Sequence, residues 1–218
     1  MRRMMTAVAL TLALSAAAEA GCKEEVSTAL DRQRKTSGFR METMMLSEDG
    51  KVDMTVDYVL PDRMHQIVKS TKDPEPVETI VVGNTAWSRR KSDPWVVLNP
   101  EITSQLVKQM QETLGDDPGQ LGSFDCLGKQ PVDGKDALAY QGENDSEGEG
   151  DGPKDASPAA KDKPKQPDRP VRVIYVDPTT GLPLRSVFGR ANRLDKPIFE
   201  STYSYPVDLK IESPLPKK

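Results

Sequence analysis

The sequence predicts an α+β protein built on one antiparallel sheet with two or three helices, and two observations support this prediction. First, residues 39–98 consist of short runs in which apolar and polar side chains alternate, and turn residues separate these runs. Alternation with a period of two places one face of a strand against a core and the other face in water. Second, the connections between the runs are short, so strands that follow one another in sequence are expected to pair as a meander.

The size and charge of the chain limit the classes of protein to consider. Its 218 residues suit a single domain with a substantial core. The formal net charge is -4, and no stripe of Lys and Arg is interleaved with aromatic residues. Because phosphate backbones are bound by clustered cations, we expect no nucleic-acid partner.

The first 20 residues have the pattern of a secretory signal peptide. Arg2 and Arg3 form a positive start, residues 6–17 are apolar, and Ala18-Glu19-Ala20 is an A-x-A cleavage site. We therefore expect an exported protein, cleaved after Ala20. The apolar run is shorter than the ~20 residues that a membrane-spanning helix needs. A second processing route stays open, because Gly21-Cys22 resembles a lipobox and would leave the protein lipid-anchored at Cys22.

The two cysteines, Cys22 and Cys126, are expected to form one disulfide, because exported proteins meet an oxidising environment. Such a bond would fasten the N-terminal helix to the strand that begins near Cys126. It would contribute about 4–5 kcal/mol in the chain-entropy account of disulfides. Two alternatives stay open: two free thiols, or an acylated Cys22 that leaves Cys126 unpaired.

The front half of the predicted sheet is clearest in residues 52–60, where the even positions are apolar and polar residues alternate with them. Residues 47–50 supply turn chemistry before this strand, and Gly83-Asn84 marks a second hairpin. Trp87 and Trp95 lie in or beside the later strands. Aromatic residues on strands line either a ligand site or an ordinary core, and we weigh both interpretations.

Two helices are predicted. Residues 23–35 carry Val26, Ala29 and Leu30 on one side, which is the pattern of a surface helix with a narrow apolar face. The second helix is expected to begin with Asn99 as its N-cap and Pro100 in its first turn. Its apolar stripe recurs every four residues, so it should lie across a face of the sheet. The stripe consists of Ile102, Leu106, Met110 and Leu114.

The second half of the sequence has the pattern of further strands on either side of an insertion. A hairpin is expected over residues 126–141, and more strands over 171–176, 182–190 and 198–205, with the alternation continuing to 211. Between them, residues 142–170 are rich in Gly, Pro, Asp, Glu and Lys. Such a segment buries too little apolar surface to order itself, and it lacks the ligand spacing of an EF-hand. We expect a disordered insertion within one domain of residues 21–218, and no metal site.

Taken together, the sequence resembles the periplasmic lipoprotein-carrier superfamily with the LolA/LolB-like fold. The resemblance covers nearly all of the chain after the signal peptide except residues 142–170. Its most specific part is the turn and strand of residues 177–185. The order of features that carries it is a signal peptide, Cys22 opening a helix, a hairpin ending in Pro61-Asp62-Arg63, a hairpin over 80–95, a helix, Cys126 before Val132-Asp133-Gly134, and the run from Tyr175 to Arg185.

This resemblance implies a strongly curved antiparallel sheet, an incomplete β-barrel, with helices packed in its mouth and an apolar cavity inside. It implies a periplasmic protein that binds or carries a lipid, a lipoprotein acyl chain or another hydrophobic molecule. We expect no cofactor. It also implies envelope protein partners, a role close to outer-membrane lipoprotein sorting, and transient membrane contact. The residues that match the cavity wall are Met54, Val56, Tyr58, Leu60, Ile80, Val82 and Trp87.

The sequence leaves two other classes of function open. A non-catalytic structural or interaction module of the envelope would have the same fold with its core filled by its own side chains. An enzyme has little support, because the chain has a single histidine, His65, and contains no Gly-x-Ser-x-Gly elbow, phosphate loop or zinc spacing. The sequence therefore predicts a protein that is not an enzyme.

Overall fold

A computed structural model of the chain describes residues 15–114, 121–143 and 169–215. Within them are two helices, α1 (Ser15–Arg34) and α2 (Pro100–Leu114). Eleven strands accompany the helices. They are β1 (Gly38–Ser47), β2 (Gly50–Val59), β3 (Arg63–Ser70), β4 (Val77–Val82), β5 (Thr85–Arg90), β6 (Val96–Val97), β7 (Phe124–Val132), β8 (Lys135–Glu143), β9 (Pro170–Val176), β10 (Pro183–Arg190) and β11 (Phe199–Ser204).

All eleven strands belong to one antiparallel sheet with the order β6-β5-β4-β3-β2-β1-β11-β10-β9-β8-β7. The chain forms two meanders, and β1 and β11 join them at the centre. Both ends of the sheet are free, because β6 and β7 do not pair with each other in the part of the chain that the structure describes. The predicted fold class, an incomplete antiparallel barrel with helices, is confirmed.

The turns that the sequence indicated are present. Gly83 adopts a φ of 58°, a conformation that favours glycine, in the hairpin between β4 and β5. In the turn after β9, the Asp177 Oδ1 atom accepts a hydrogen bond of 2.7 Å from the Thr179 amide. At the start of α2, the Asn99 Oδ1 atom accepts a hydrogen bond of 2.9 Å from the Ile102 amide, which confirms the predicted N-cap.

One row of paired residues runs across six strands and shows which side chains share a face. The row is Met54, Thr43, Ser201, Ser186, Ile174 and Tyr140. Paired positions in antiparallel strands point to the same side of the sheet, so this row defines one face from β2 to β8. Both helices pack on this face. We call it the concave face and the opposite side the convex face.

Two separate apolar clusters lie on the concave face, one under each helix. Beneath α1, a buried cluster joins the helix to β7, β8 and β9 and consists of Cys22, Val26, Ala29, Phe124, Tyr140, Ile174 and Val176. Beneath α2, a second buried cluster consists of Phe39, Val56, Tyr58, Met64, Val81, Ala86 and Met110. The molecule therefore has two helix-covered cores on one face of the sheet, one in each meander.

Several predicted boundaries of helices and strands differ from those in the structure, and others lie outside the described residues. Helix α1 starts at Ser15, upstream of the predicted cleavage point after Ala20, and residues 1–14 lie outside the described part. The predicted insertion lies mostly outside it too, although β8 and β9 pair directly on either side of it. The alternation expected up to 211 does not form a strand, because β11 ends at Ser204 and Val207 is 89% exposed. No described helix is long and apolar enough to cross a membrane.

Candidate functional site

Four of the predicted wall residues lie together on the concave face. Met54, Val56 and Tyr58 alternate along β2 and pair with inward-facing residues of β1 and β3. Leu60 follows this strand and packs against the cluster beneath α2. The period of two in β2 was visible in the sequence because polar residues separate these apolar ones.

The other three predicted wall residues lie on the convex face, which corrects the sequence-based assignment. Ile80 pairs with His65 and Trp87, and Val82 pairs with Arg63, whereas the inward-facing residue of β4 is Val81. The run Ile80-Val81-Val82 is apolar throughout, so its alternation is hidden, and a shift of one residue moves a whole strand to the other face. The seven residues therefore do not line one cavity.

The region beneath α2 is packed by the protein's own side chains. Val56 is 1% exposed and Met110 of α2 is 2% exposed. Burial raises the pKa of the Tyr58 hydroxyl to about 12, and its side chain also hydrogen-bonds Thr113 of the same helix. This side of the concave face is a closed core.

Between the two cores, the centre of the concave face carries large apolar side chains that are only partly covered. Three of them, Met45, Phe199 and Phe188, pair with one another across β1, β11 and β10. Met45 is 41% exposed, and the two phenylalanines are half-buried. We call this set the central wall, and its members are Met41, Met45, Met54, Phe188, Phe199 and Tyr203.

A small polar strip interrupts the central wall. The Thr43 and Ser201 hydroxyl oxygens are 2.7 Å apart and share a hydrogen bond, and both residues are buried. Ser201 also hydrogen-bonds the side chain of Tyr203, whose pKa is raised by burial. Farther along the same face, Arg172 pairs with Phe188 and is exposed. The wall thus combines apolar surface with hydroxyl groups and one cation.

An open groove of about 490 Å³ lies beside α1, between this helix, β8 and the turn after β9. Its floor is apolar and includes Ala29, Leu138 and Val176. At its edge, the Tyr140 hydroxyl donates a hydrogen bond of 2.6 Å to Glu25 of α1. Burial is the first cause of a raised pKa for this tyrosine, and the bond to Glu25 adds to it. The volume falls in the range of small-molecule sites.

Helix α1 is held to the sheet at three further points. The Cys22–Cys126 disulfide, whose Cα atoms are 5.5 Å apart, joins the first half of the helix to β7 and confirms the predicted pairing. At the other end of the helix, Arg32 Nη1 donates a hydrogen bond of 2.6 Å to the Thr180 carbonyl oxygen. Gln33 donates a hydrogen bond of 3.1 Å to the Tyr205 hydroxyl. The helix therefore has one covalent attachment and several weak ones.

The convex face carries an ionic network around Glu78. Glu78 accepts a hydrogen bond of 2.8 Å from Arg89, and its carboxylate is 3.7 Å from His65 Nε2. The Arg89 guanidinium lies 4.5 Å from the centre of the Trp95 ring. The Trp95 ring therefore contacts a cation. Among the described residues, no three His, Cys, Asp or Glu side chains are placed to hold a metal ion.

The sequence-based assignment missed Phe188, Phe199 and Tyr203 in the central wall. The signal for two of them was present, because Phe199, Ser201 and Tyr203 alternate along β11. Their importance depended on the central position of β11 beside β1, and this pairing joins residues more than 150 positions apart. Local pattern carries no information about such a contact.

Comparison with solved structures confirms the predicted LolA/LolB-like fold, here an unclosed antiparallel sheet with helices on its concave face. LprF from Mycobacterium bovis superposes with a TM-score of 0.57 at 14% identity, over 89% of this chain and 97% of that chain. The Mycobacterium tuberculosis lipoprotein LppX superposes with a TM-score of 0.54 at 13% identity, over 89% of this chain and 100% of that chain. No protein-family model and no curated protein matches the sequence.

Proposed function

We propose that this protein binds and carries a hydrophobic ligand, such as a lipid or a lipoprotein acyl chain, on the concave face of its sheet. The observation that carries the proposal is the central wall, where Met45, Phe188 and Phe199 face the concave side and remain partly uncovered between the two cores. Covering such surface removes it from water at about 25 cal/mol per Å². No catalytic role is proposed.

The site that we propose extends from the central wall toward the groove beside α1. Tyr140 links the two regions, because it belongs to the row that crosses the wall and also lines the groove. An extended acyl chain suits a long apolar track better than a closed pocket does.

We also propose that the protein is exported to the periplasm and is not anchored through Cys22. The Cys22 sulfur is bonded to Cys126, and one sulfur atom cannot carry both a disulfide and a thioether lipid. Cleavage after Ala20 would leave Cys22 as the second residue of the protein, so the disulfide would fasten the new N-terminus. Metabolic labelling with radioactive palmitate should leave this protein unlabelled, and labelling that depends on Cys22 would contradict the proposal.

The second candidate is a non-catalytic envelope module whose interior is filled by its own side chains. The packed cluster beneath α2 favours it for that half of the molecule, since Val81 and Ala86 are fully buried there. The two candidates differ at the central wall. A carrier needs that wall to accept a ligand, whereas an interaction module does not.

The experiment is a titration of delipidated protein with an environment-sensitive fluorescent fatty acid. The test variant is Met41→Arg on the concave face of β1, and the control is Met44→Arg, which lies on the convex face of the same strand and is likewise half-buried. We expect Met41→Arg to weaken probe binding at least tenfold, about 1.4 kcal/mol, and Met44→Arg to leave it unchanged.

Phe199→Arg, on β11, is a second test variant in case Met41→Arg does not fold, and its control is Thr202→Arg on the convex face. Circular dichroism checks that each variant keeps its fold. Equal probe affinity in all folded variants, or no binding to the unaltered protein, would reject the ligand site and leave the interaction module as the better candidate.

A further inference from the structure

One end of the sheet exposes apolar side chains beside a group of cations. This end comprises the last residues of β1 and β10 and the first residue of β11. Leu46 is 49% exposed, Met45 is 41% exposed and Ile198 is 39% exposed. The Leu46 amide donates a hydrogen bond of 2.8 Å to the Ile198 carbonyl, so the side chains of these two residues are neighbours. A cluster of this kind costs free energy in water unless something covers it.

Cations surround a shallow concavity of about 230 Å³ at the same end, and it is lined by Arg190, Arg193, Lys196 and Ile198. Two turns hold the loop after β10, because the Arg193 amide bonds the Arg190 carbonyl and the Lys196 amide bonds the Arg193 carbonyl. Neither Arg193 nor Lys196 has a carboxylate partner among the described residues. Ile198 belongs both to this concavity and to the apolar group, so cations and apolar side chains adjoin directly.

We propose that this end, formed by Met45, Leu46, Arg193, Lys196 and Ile198, docks on the surface of an anionic phospholipid bilayer. Lipid phosphates would bind Arg193 and Lys196, while Leu46 and Ile198 enter the boundary between headgroups and acyl chains. Basic residues beside exposed aliphatic side chains are the combination that binds such interfaces. The whole chain has a formal net charge of -4, so the attraction has to be local to this end.

Three cations at this end, Arg190, Arg193 and Lys196, are accompanied by two carboxylates outside the Asp49–Lys72 pair, Asp195 and Glu48, which leaves a surplus of one positive charge. Asp195 is the one carboxylate in residues 191–197, and it lies between Arg193 and Lys196 in sequence. In the adjacent turn between β1 and β2, Asp49 pairs with Lys72. Glu48 is the remaining carboxylate of that turn. Duplex nucleic acid would use the cations but not the aliphatic side chains, and therefore fits this end less well than a bilayer does.

Docking here would place the end of the concave face next to the membrane, because Leu46 and Ile198, on the convex side, are directly adjacent to Met45 and Phe199 on the concave side. Met45 belongs to the docking end and also pairs with Phe199 of the central wall. Phe188 continues this row inward across β10. A hydrophobic molecule that leaves the bilayer at this end therefore meets the uncovered part of the wall first. Vesicle binding and fatty-acid probe binding are measured separately, so the failure of one can be distinguished from the failure of the other.

The experiment is co-sedimentation of the full chain with vesicles of phosphatidylglycerol and phosphatidylethanolamine, compared with vesicles of phosphatidylcholine alone. We expect binding to the anionic vesicles that declines as salt rises, because exposed charges are screened. Two double variants test the two components: Arg193→Glu with Lys196→Glu, and Leu46→Ser with Ile198→Ser. Each should weaken vesicle binding at least tenfold while probe binding at the central wall is kept.

The control carries equivalent changes at the opposite end of β11, Val207→Ser with Lys210→Glu, where both residues are exposed. It should bind vesicles as the unaltered protein does. The proposal is overturned if this control loses as much binding as the test variants or if the test variants bind normally. It is likewise overturned if soluble glycerol phosphate or a DNA duplex binds this end while vesicles do not.

Discussion

Cys22 and Cys126 lie 104 residues apart in sequence, yet their sulfur atoms are bonded and join the first half of α1 to the edge strand β7. Cys22 is 4% exposed within the cluster beneath α1, whereas Cys126 lies in an exposed part of its strand. The bond thus fastens the helix that borders the open groove to a strand with a free edge. Removal of the disulfide should therefore destabilise the contact between α1 and β7 first.

The double variant Cys22→Ala, Cys126→Ala should lower the free energy of unfolding by roughly 2–5 kcal/mol, because the bond restricts the unfolded chain over a long loop. Urea denaturation of the oxidised protein and of the variant measures this difference. Addition of a reducing agent should destabilise the unaltered protein and leave the variant unchanged. Equal stability of the two proteins would show that α1 is held without the disulfide.

Tyr140→Phe should loosen α1 without removing it. The change deletes the hydroxyl that donates to Glu25, and a single hydrogen bond contributes about 1 kcal/mol. Hydrogen exchange of the backbone amides in residues 21–34 should become faster. Tyr175→Phe is the control, because Tyr175 lies on the same sheet but faces the convex side. Similar exchange in both variants would contradict a role for the Glu25 contact.

Val81→Ala and Val82→Ala test the register of β4 directly. Val81 is fully buried beside Ala86 and Met110, so its truncation should cost roughly 2 kcal/mol from lost burial and a residual cavity. Val82 is half-buried on the convex face and should cost clearly less. Thermal or chemical denaturation compares the two, and a larger loss for Val82→Ala would refute the assigned faces.

Asn99→Ala should destabilise the protein by about 1 kcal/mol, because it removes the side-chain oxygen that caps α2. The effect should appear in the unfolding free energy, with faster hydrogen exchange in the first turn of the helix. Gln105→Ala, on the exposed side of the same helix, serves as the control and should change stability by less than about 0.5 kcal/mol. Equal effects would argue that the cap contributes nothing.

Stability should fall at alkaline pH because buried tyrosines resist ionisation. The pKa of Tyr58 is raised to about 12, whereas an unfolded tyrosine ionises near pH 10. The stabilisation is therefore complete below about pH 10 and is lost as the pH rises toward 12, with a slope of about 1.4 kcal/mol per pH unit for each such tyrosine. Tyr58→Phe should reduce that slope when unfolding free energies are measured from pH 9 to 12.

The sequence predicted most of the elements but not all of their faces. Residues 52–60 alternate cleanly, so the inward side of β2 followed from local pattern alone. The β4 run Ile80-Val81-Val82 has no polar residue within it, and its inward side depended on pairing with β3. The mistaken placement of Ile80, Val82 and Trp87 on the cavity wall comes from this one strand and its hairpin partner.

The sequence by itself determined the antiparallel class, the capped helix α2 and the pairing of Cys22 with Cys126, because alternation, helix capping and cysteine number are local or countable features. Only the tertiary structure decided that β1 pairs with β11. This pairing creates the central wall and joins Met45 to Phe199 at the ends of the two central strands. The physical reason is that strand pairing over 150 residues is chosen by the packing of two complete meanders, which no local pattern encodes.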